Sequence, residues 1–194
     1  MGAVVFDASY LVPLLDARVK GVSDNPRVNH LFATPEKAKA KIIVPTPALS
    51  EVLIGAGDAA PAYLDILNRS SRFKIVPFGE RAAVEAADAH RRAIDAGDKR
   101  EGLDSTWAKV KYDRQIMAIA KVENADCIYS NDDDLVRLGQ KDGIHVVTLA
   151  QLPDPTAPAS SDQYSMFGRV LDLDVQPIEP PPEVPDQTRE LDIE

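Results

Sequence analysis

The chain has 194 residues, of which 44% are hydrophobic, and this is enough for one domain with a sizeable core. Its formal net charge of −9 resides mostly in residues 152–194, which hold ten acids and two arginines, against 21 acids and 20 basic residues before them. The near-neutral body therefore does not exclude a nucleic-acid partner.

The sequence also gives expectations about membrane association and cellular location. No apolar run approaches the roughly 20 residues that span a bilayer, so we expect no membrane partner. The first residues lack the basic segment of a signal peptide. The single cysteine, Cys127, cannot form an internal disulfide and lies in an apolar run. We predict a cytoplasmic protein in which Cys127 is a core residue.

The first predicted element is a strand at 4–6, a continuous apolar run typical of parallel strands covered on both faces. Asp7 ends it, and a helix should follow, with Ser9 as its cap and Pro13 in its first turn. Open α/β sheets bind ligands at the carboxyl ends of their strands. Asp7 is therefore a candidate for ligand binding, and helix capping is the alternative.

The second predicted strand lies at 42–44, and a helix that opens at residue 45 follows it. Short helices around 28–32 and 35–40 are predicted before it. Glu51 lies about one turn inside the later helix, among apolar neighbours. It is either a solvated helix residue or a carboxylate aimed at something positive.

The next predicted elements are a helix at 59–68, a third strand at 73–78 and a long helix from 80 to about 96, ended by Gly97. A mixed-charge loop is predicted from 98 to 110, with the only tryptophan, Trp107, inside it. Its neighbouring cations are candidate phosphate contacts or simply solvated charge: Lys99, Arg100, Lys109 and Lys111.

A strong helix is predicted to begin at Asp113. Apolar residues at i+3, i+4 and i+7 share a face with Asp113, so its carboxylate should point from the helix N-terminus towards the core. A fourth strand at 126–129, a helix at 133–140 ended around Gly143, and a fifth strand at 144–149 complete the pattern.

Three adjacent acids, Asp132, Asp133 and Asp134, follow the fourth strand. Adjacent carboxylates repel one another unless water or a cation neutralises them, although such residues also cap helices. Alternating strands and helices predict a parallel, doubly wound α/β sheet in residues 1–151. Residues 152–194 hold eight of the fifteen prolines and should be an extended or disordered acidic tail.

One parallel sheet would bring four acids to one edge: Asp7, Glu51, Asp113 and Asp132. Oxygen ligands without a histidine or cysteine cluster suit Mg²⁺ or Mn²⁺ and not zinc. The chain has no Walker A loop, no G-x-G-x-x-G and no G-x-S-x-G motif, so those phosphate-binding and hydrolase classes have no support.

Four motifs, at 5–9, 47–52, 113–120 and 130–135, resemble in order those of PIN-domain proteins such as the VapBC toxin ribonucleases. The resemblance implies a three-layer α/β/α fold with a central, mostly parallel sheet. It further implies a metal-dependent endoribonuclease that acts through metal-activated water, as in the toxin of a type II toxin–antitoxin pair. RNA, an antitoxin or other protein partner, and a second copy of the chain are the implied partners.

The same resemblance implies roles for individual residues. One or two Mg²⁺ or Mn²⁺ ions would be held by Asp7, Glu51, Asp113 and Asp132, with Asp134 assisting. Three residues would support the site, namely Ser9, Ser130 and Asn131. Two cations would contact the RNA backbone, namely Lys111 and Arg114.

Two other classes of function stay open. The chain could be a PIN-fold RNA- or protein-binding regulatory module with little or no nuclease activity, whose acidic tail occupies the cleft or recruits a basic partner. A phosphoryl-accepting receiver or a haloacid-dehalogenase-like phosphatase is a further alternative, but the latter requires Asp-x-Asp after the first strand, and residues 7–9 read Asp-Ala-Ser.

Overall fold

The computed structural model describes residues 2–20, 26–27 and 40–152. The helix predicted around 28–32, nearly all of the one predicted at 35–40, and the tail after residue 152 lie outside these ranges. Among the described residues, no helix combines the length and the apolar character that a membrane span requires.

Strands and helices alternate through the described residues, as the sequence predicts. Five strands are β1 (Ala3–Phe6), β2 (Lys41–Pro45), β3 (Phe73–Val76), β4 (Cys127–Tyr129) and β5 (Val146–Val147). The α-helices whose bounds the described residues give are α1 (Ala8–Lys20), α2 (Thr46–Ala56), α3 (Ala60–Arg69), α4 (Glu80–Asp95), α5 (Trp107–Val122) and α6 (Asp133–Asp142). Short 3₁₀ helices occupy Gly57–Ala59 and Leu149–Gln151.

The strands described form one parallel sheet in the order β3-β2-β1-β4-β5. The central strand β1 pairs with both neighbours, so that Val5 lies opposite Ile43 on one side and Ile128 on the other. All three of these side chains are buried, which is why these strands are continuously apolar. The predicted parallel α/β fold is confirmed, and β1 and β4 end side by side at the carboxyl edge.

Three aromatic side chains pack together where β1 and β4 end. The rings of Phe6, Tyr10 and Tyr129 lie 5.0–5.7 Å apart, centroid to centroid, and join β1, α1 and β4. Cys127 on β4 is fully buried, and burial, followed by the charge of Asp126, raises the pKa of its thiol to about 12. Cys127 is therefore a core residue, as predicted, and is unsuited to act as a nucleophile at neutral pH.

Helix α5 begins six residues earlier than predicted. The Thr106 hydroxyl accepts the backbone N–H of Lys109 at 3.3 Å and caps the helix, so Trp107 is the first helical residue and not part of a loop. Asp113 consequently lies in the second turn of α5 and not at its N-terminus. This shift places one and a half additional turns beside the carboxyl edge of the sheet.

Two smaller predictions in α1 are also wrong. The helix begins at Ala8, so Ser9 lies inside it, and Asp7 is the residue that precedes it. Pro13 is the sixth helical residue and not part of the first turn. Because proline has no N–H, the helical hydrogen bond to the Ser9 carbonyl is absent at this position.

Gly139 in α6 should not tolerate a methyl group. A Cβ there would lie 2.5 Å from Val146 Cγ2 and 2.7 Å from the Ile144 carbonyl oxygen, which is backbone and cannot move aside easily. Gly139→Ala should therefore lower the free energy of unfolding by about 1–3 kcal/mol. Gly55→Ala in α2 is the control, because a Cβ there meets nothing within 4 Å, and it should stabilise by up to about 1 kcal/mol. Denaturant titration checks both values, and shifts of the same sign would contradict the packing argument.

Candidate functional site

Asp7 is buried at the end of β1 and is held by two serines. Its Oδ2 atom accepts hydrogen bonds from Ser130 Oγ at 2.9 Å and Ser9 Oγ at 3.1 Å. The Ser9 backbone N–H approaches the same oxygen at 3.5 Å. Asp7 therefore caps the start of α1 to some extent, while its other oxygen, Oδ1, receives no hydrogen bond from any described residue.

The same two hydroxyls tie the loop after β4 to β1. Ser9 Oγ accepts the Asn131 backbone N–H at 2.9 Å, and Ser130 Oγ accepts that of Asp132 at 3.0 Å. The Asn131 side chain accepts the Leu149 N–H at 2.8 Å and so holds the loop to the segment after β5. These contacts give Ser9, Ser130 and Asn131 a positioning role at the carboxyl edge of the sheet.

The structure brings the four predicted acids to one open cleft of ≈ 800 Å³, which Asp7, Glu51, Asp113 and Asp132 line together with Lys109. Each acid comes from a different element. Asp7 follows β1, Glu51 lies on α2, Asp113 lies on α5, and Asp132 precedes α6. The fold therefore collects carboxylates that are up to 125 residues apart in sequence. The fifth predicted acid, Asp134, does not line the cleft.

Lys109 occupies the middle of the acidic cluster. Its Nζ atom lies 2.6 Å from Asp132 Oδ2 and 3.0 Å from both Asp113 Oδ2 and Asp134 Oδ2. An ammonium group has three N–H donors, and each has a carboxylate acceptor here. The sequence interpretation missed this arrangement because it placed Lys109 in a loop. With α5 extended to Thr106, Lys109 and Asp113 have the i, i+4 spacing of a helical ion pair.

The ionisation of the Lys109 side of the cluster follows from these contacts. Burial lowers the pKa of Lys109, but hydrogen bonds to the three carboxylates outweigh it, and the net shift is upwards. Burial also raises the pKa of Asp134, but the Ser105 hydroxyl and Lys109 lower it further, so the net shift is downwards. At neutral pH Lys109 is therefore charged, and Asp134 is ionised beside it.

For Asp113 and Glu51 the effect of burial prevails over that of Lys109. Burial raises the pKa of Asp113 to about 6, against the opposing effect of Lys109 and with a contribution from the charges of Asp132 and Asp7. The pKa of Glu51 is raised as well, by partial burial and then by Asp7 and Asp132. No described residue forms a hydrogen bond or an ion pair with the Glu51 carboxylate.

The donor chemistry of this side fits a hard divalent cation. Asp7 Oδ1, Asp113 Oδ1 and the Glu51 carboxylate receive no hydrogen bond from the described residues, and oxygens of this kind are what Mg²⁺ and Mn²⁺ take as ligands. Within residues 2–20, 26–27 and 40–152, no set of three or more acids, histidines or cysteines is already arranged around a common metal position. Three of the carboxylates converge on Lys109 Nζ instead.

The two cations predicted to contact RNA differ in their surroundings. Lys111 is exposed, and its Nζ atom lies 5.9 Å from the centroid of the Trp107 ring, with Lys99 Nζ at 5.6 Å from the same ring. Arg114 is only 2% exposed, and its guanidinium pairs with Glu101. A buried guanidinium in an internal ion pair is not available to a nucleic-acid backbone, so the prediction for Arg114 is corrected to a structural role.

The raised pKa of Asp113 predicts a pH dependence of stability in metal-free buffer. Between about pH 4 and pH 6 the folded protein retains a proton that the unfolded chain releases, so stability falls as the pH rises through this window, by up to about 3 kcal/mol. Asp113→Asn should remove this part of the slope. Denaturant titrations of both proteins from pH 4 to pH 7 with EDTA check it, and parallel curves would contradict the prediction.

Comparisons with known proteins agree with this architecture. A model of the PIN domain matches residues 4–141. No functionally curated protein sequence matches the chain. Solved structures that resemble it include VapBC2 from Rickettsia felis bound to a promoter DNA fragment (14% identity, TM-score 0.51) and DNA-bound VapBC from Salmonella typhimurium (14%, 0.52). VapBC-1 from nontypeable Haemophilus influenzae is similar as well (10%, 0.51). The three matches cover 75–77% of this chain and 98–99% of the other, and at such low identity they show likeness of fold.

Proposed function

This chain belongs to the PIN domain family, and on that premise we propose that it is an endoribonuclease that depends on Mg²⁺ or Mn²⁺. One observation carries the proposal: four carboxylates from four separate elements line one cleft at the carboxyl edge of a parallel sheet. Such a concentration of negative charge at a ligand-binding edge costs stability, and a divalent cation would relieve that cost.

The four acids that line the cleft have separate roles in this proposal. Asp7, Glu51 and Asp113 would hold the ion, since they line the cleft and have oxygens that receive no hydrogen bond from the described residues. Asp132 would contribute a further negative charge to the lining of the cleft. The chemistry that Mg²⁺ or Mn²⁺ supplies when bound is the activation of water and the stabilisation of charge on the leaving oxygen of a phosphodiester.

The remaining residues orient this machinery. Ser9 and Ser130 fix one oxygen of Asp7 and leave the other without a hydrogen bond from the described residues. Through the Asn131 and Asp132 backbone, the same hydroxyls keep the β4 loop against β1. Lys111, exposed on the first turns of α5, would contact the RNA backbone.

We further propose an antitoxin as the protein partner and a role as the toxin of a toxin–antitoxin pair in the cytoplasm. The support is the likeness of fold to VapBC complexes at TM-scores of 0.51 and 0.52. A homodimer is proposed on family resemblance. Size-exclusion chromatography with light scattering tests the dimer, and co-purification with the product of a neighbouring gene tests the antitoxin.

The purified chain should cleave a mixed, structured RNA in Mn²⁺ or Mg²⁺ and not in EDTA. Analysis of the new ends controls for contaminating ribonucleases, because attack by water leaves no 2′,3′-cyclic phosphate, whereas attack by the 2′-hydroxyl of RNA does. Product mapping by gel electrophoresis after end labelling reads both. Cleavage that persists in EDTA, or an absence of both cleavage and Mn²⁺ binding, would contradict the proposed function.

The alternative is a PIN-fold RNA- or protein-binding module with little or no nuclease activity. The observation in its favour is that Lys109 already contacts three carboxylates of the cluster without any metal. This alternative predicts RNA or protein binding that is independent of divalent ions. Equal RNA affinity in EDTA and in Mn²⁺, together with intact RNA, would favour it over the nuclease.

A further inference from the structure

We propose that Lys109 is a built-in cation that takes the place of a second divalent ion, so that the site binds one Mg²⁺ or Mn²⁺ through Asp7, Glu51 and Asp113. This inference rests on the proposed metal-dependent function. It adds the number of ions, their position in the cleft and a role for a residue that sequence analysis assigned to a loop.

The first argument is that Lys109 is fully engaged. Its ammonium lies within 3.0 Å of three carboxylate oxygens, one on Asp113, one on Asp132 and one on Asp134. The helical spacing to Asp113 and the Thr106 cap hold the lysine backbone in place. A second metal ion among the same oxygens would have to displace the ammonium group, because two cations at such a separation repel each other strongly.

The second argument is that the cluster divides into two halves. On the Lys109 side, both oxygens of Asp132 accept hydrogen bonds, Oδ2 from Lys109 and Oδ1 from the Asp134 N–H at 2.8 Å. Asp134 Oδ2 accepts from Lys109 and from the Ser105 hydroxyl. Asp134 does not line the cleft; among the acids that do, the oxygens without a hydrogen bond from the described residues lie on Asp7, Glu51 and Asp113.

The third argument is charge balance. Five carboxylates belong to the cluster, and one divalent ion together with Lys109 would neutralise three of these charges and leave two. Without Lys109, the Asp132–Asp134 half would present uncompensated acids in a partly buried place. Such acids create a second position with the ligands that a divalent ion prefers.

Mn²⁺ titration of the full chain by isothermal calorimetry tests the proposal. Wild type should bind one Mn²⁺ per chain. Lys109→Gln should bind two, or bind the first at least about tenfold more tightly, and Lys109→Arg should restore a stoichiometry of one. Lys74→Gln is the matched control, because Lys74 pairs with a single acid, Glu123, and does not line the cleft. It should leave stoichiometry and affinity unchanged.

The outcomes separate this proposal from the proposed function. Wild type with two Mn²⁺ ions overturns the inference while leaving the nuclease in place, and so does unchanged binding in Lys109→Gln. Wild type that binds no Mn²⁺ overturns both. Should Lys109→Gln fail to fold without metal, Lys109→Arg decides: it should bind one Mn²⁺ and show the same rise of melting temperature in Mn²⁺ as wild type, and a second bound ion or a larger rise would overturn the inference.

Discussion

Asp7→Asn should lower metal-dependent RNA cleavage by at least about 100-fold, which corresponds to about 2.7 kcal/mol in the activation barrier. Asparagine retains the size of the side chain and an oxygen that can accept from Ser9 and Ser130. It removes the negative charge at the centre of the cleft. Initial rates on end-labelled RNA measure the loss, and circular dichroism should show an unchanged fold.

A matched control for Asp7→Asn lies at the start of α6. Asp133 is the exposed middle member of the three adjacent acids, and it does not line the cleft. Asp133→Asn should leave the cleavage rate within about a factor of two. Retention of more than a tenth of the activity in Asp7→Asn, or an equal loss in both variants, would place the chemistry elsewhere.

Glu101→Gln should lower the free energy of unfolding by about 2–4 kcal/mol. The substitution leaves the Arg114 guanidinium, which is 2% exposed, as a buried cation without its anionic partner. Removing one member of a buried pair costs far more than the pair itself contributes, because the remaining charge is not solvated. The lower end of this range allows for the partial exposure of Glu101.

The control for Glu101→Gln is an exposed ion pair. Asp88 and Arg92 on α4 form an i, i+4 pair in which both side chains are more than half exposed. Asp88→Asn should therefore change stability by less than about 0.5 kcal/mol. Equal shifts in the two variants, measured by urea titration, would show that Arg114 is solvated and would return it to the list of possible RNA contacts.

The strands could be predicted from sequence to the extent that their own residues determine them. β1, β2 and β4 are continuous apolar runs because each is covered on both faces, and this requirement is visible locally. β5 was predicted at 144–149 but comprises only Val146–Val147. Its length is set by β4, which offers only Ile128 and Tyr129 as partners, and a partner's length is not encoded in the strand itself.

The candidate site divides in the same way. The acids were predictable because the carboxyl ends of parallel strands meet at one edge. Lys109 was not, because the start of α5 was inferred from the apolar stripe that begins after Asp113, whereas the helix actually begins at a polar cap, Thr106. The burial of Arg114 depends on its pairing with Glu101. Glu101 lies in the segment between α4 and α5, and no local sequence pattern determines its position there.

The pairing of β1 with β4 also determines when the cleft can form during protein synthesis. During synthesis Asp7 leaves the ribosome 125 residues before Asp132, an interval on the order of 6 to 25 s at roughly 5–20 residues per second. Until then the central strand lacks one neighbour, and the Ser130 hydroxyl that holds Asp7 has not yet been made. A nascent chain therefore carries an incomplete cleft for most of its translation, and the completed cleft appears only when nearly the whole domain has been synthesised.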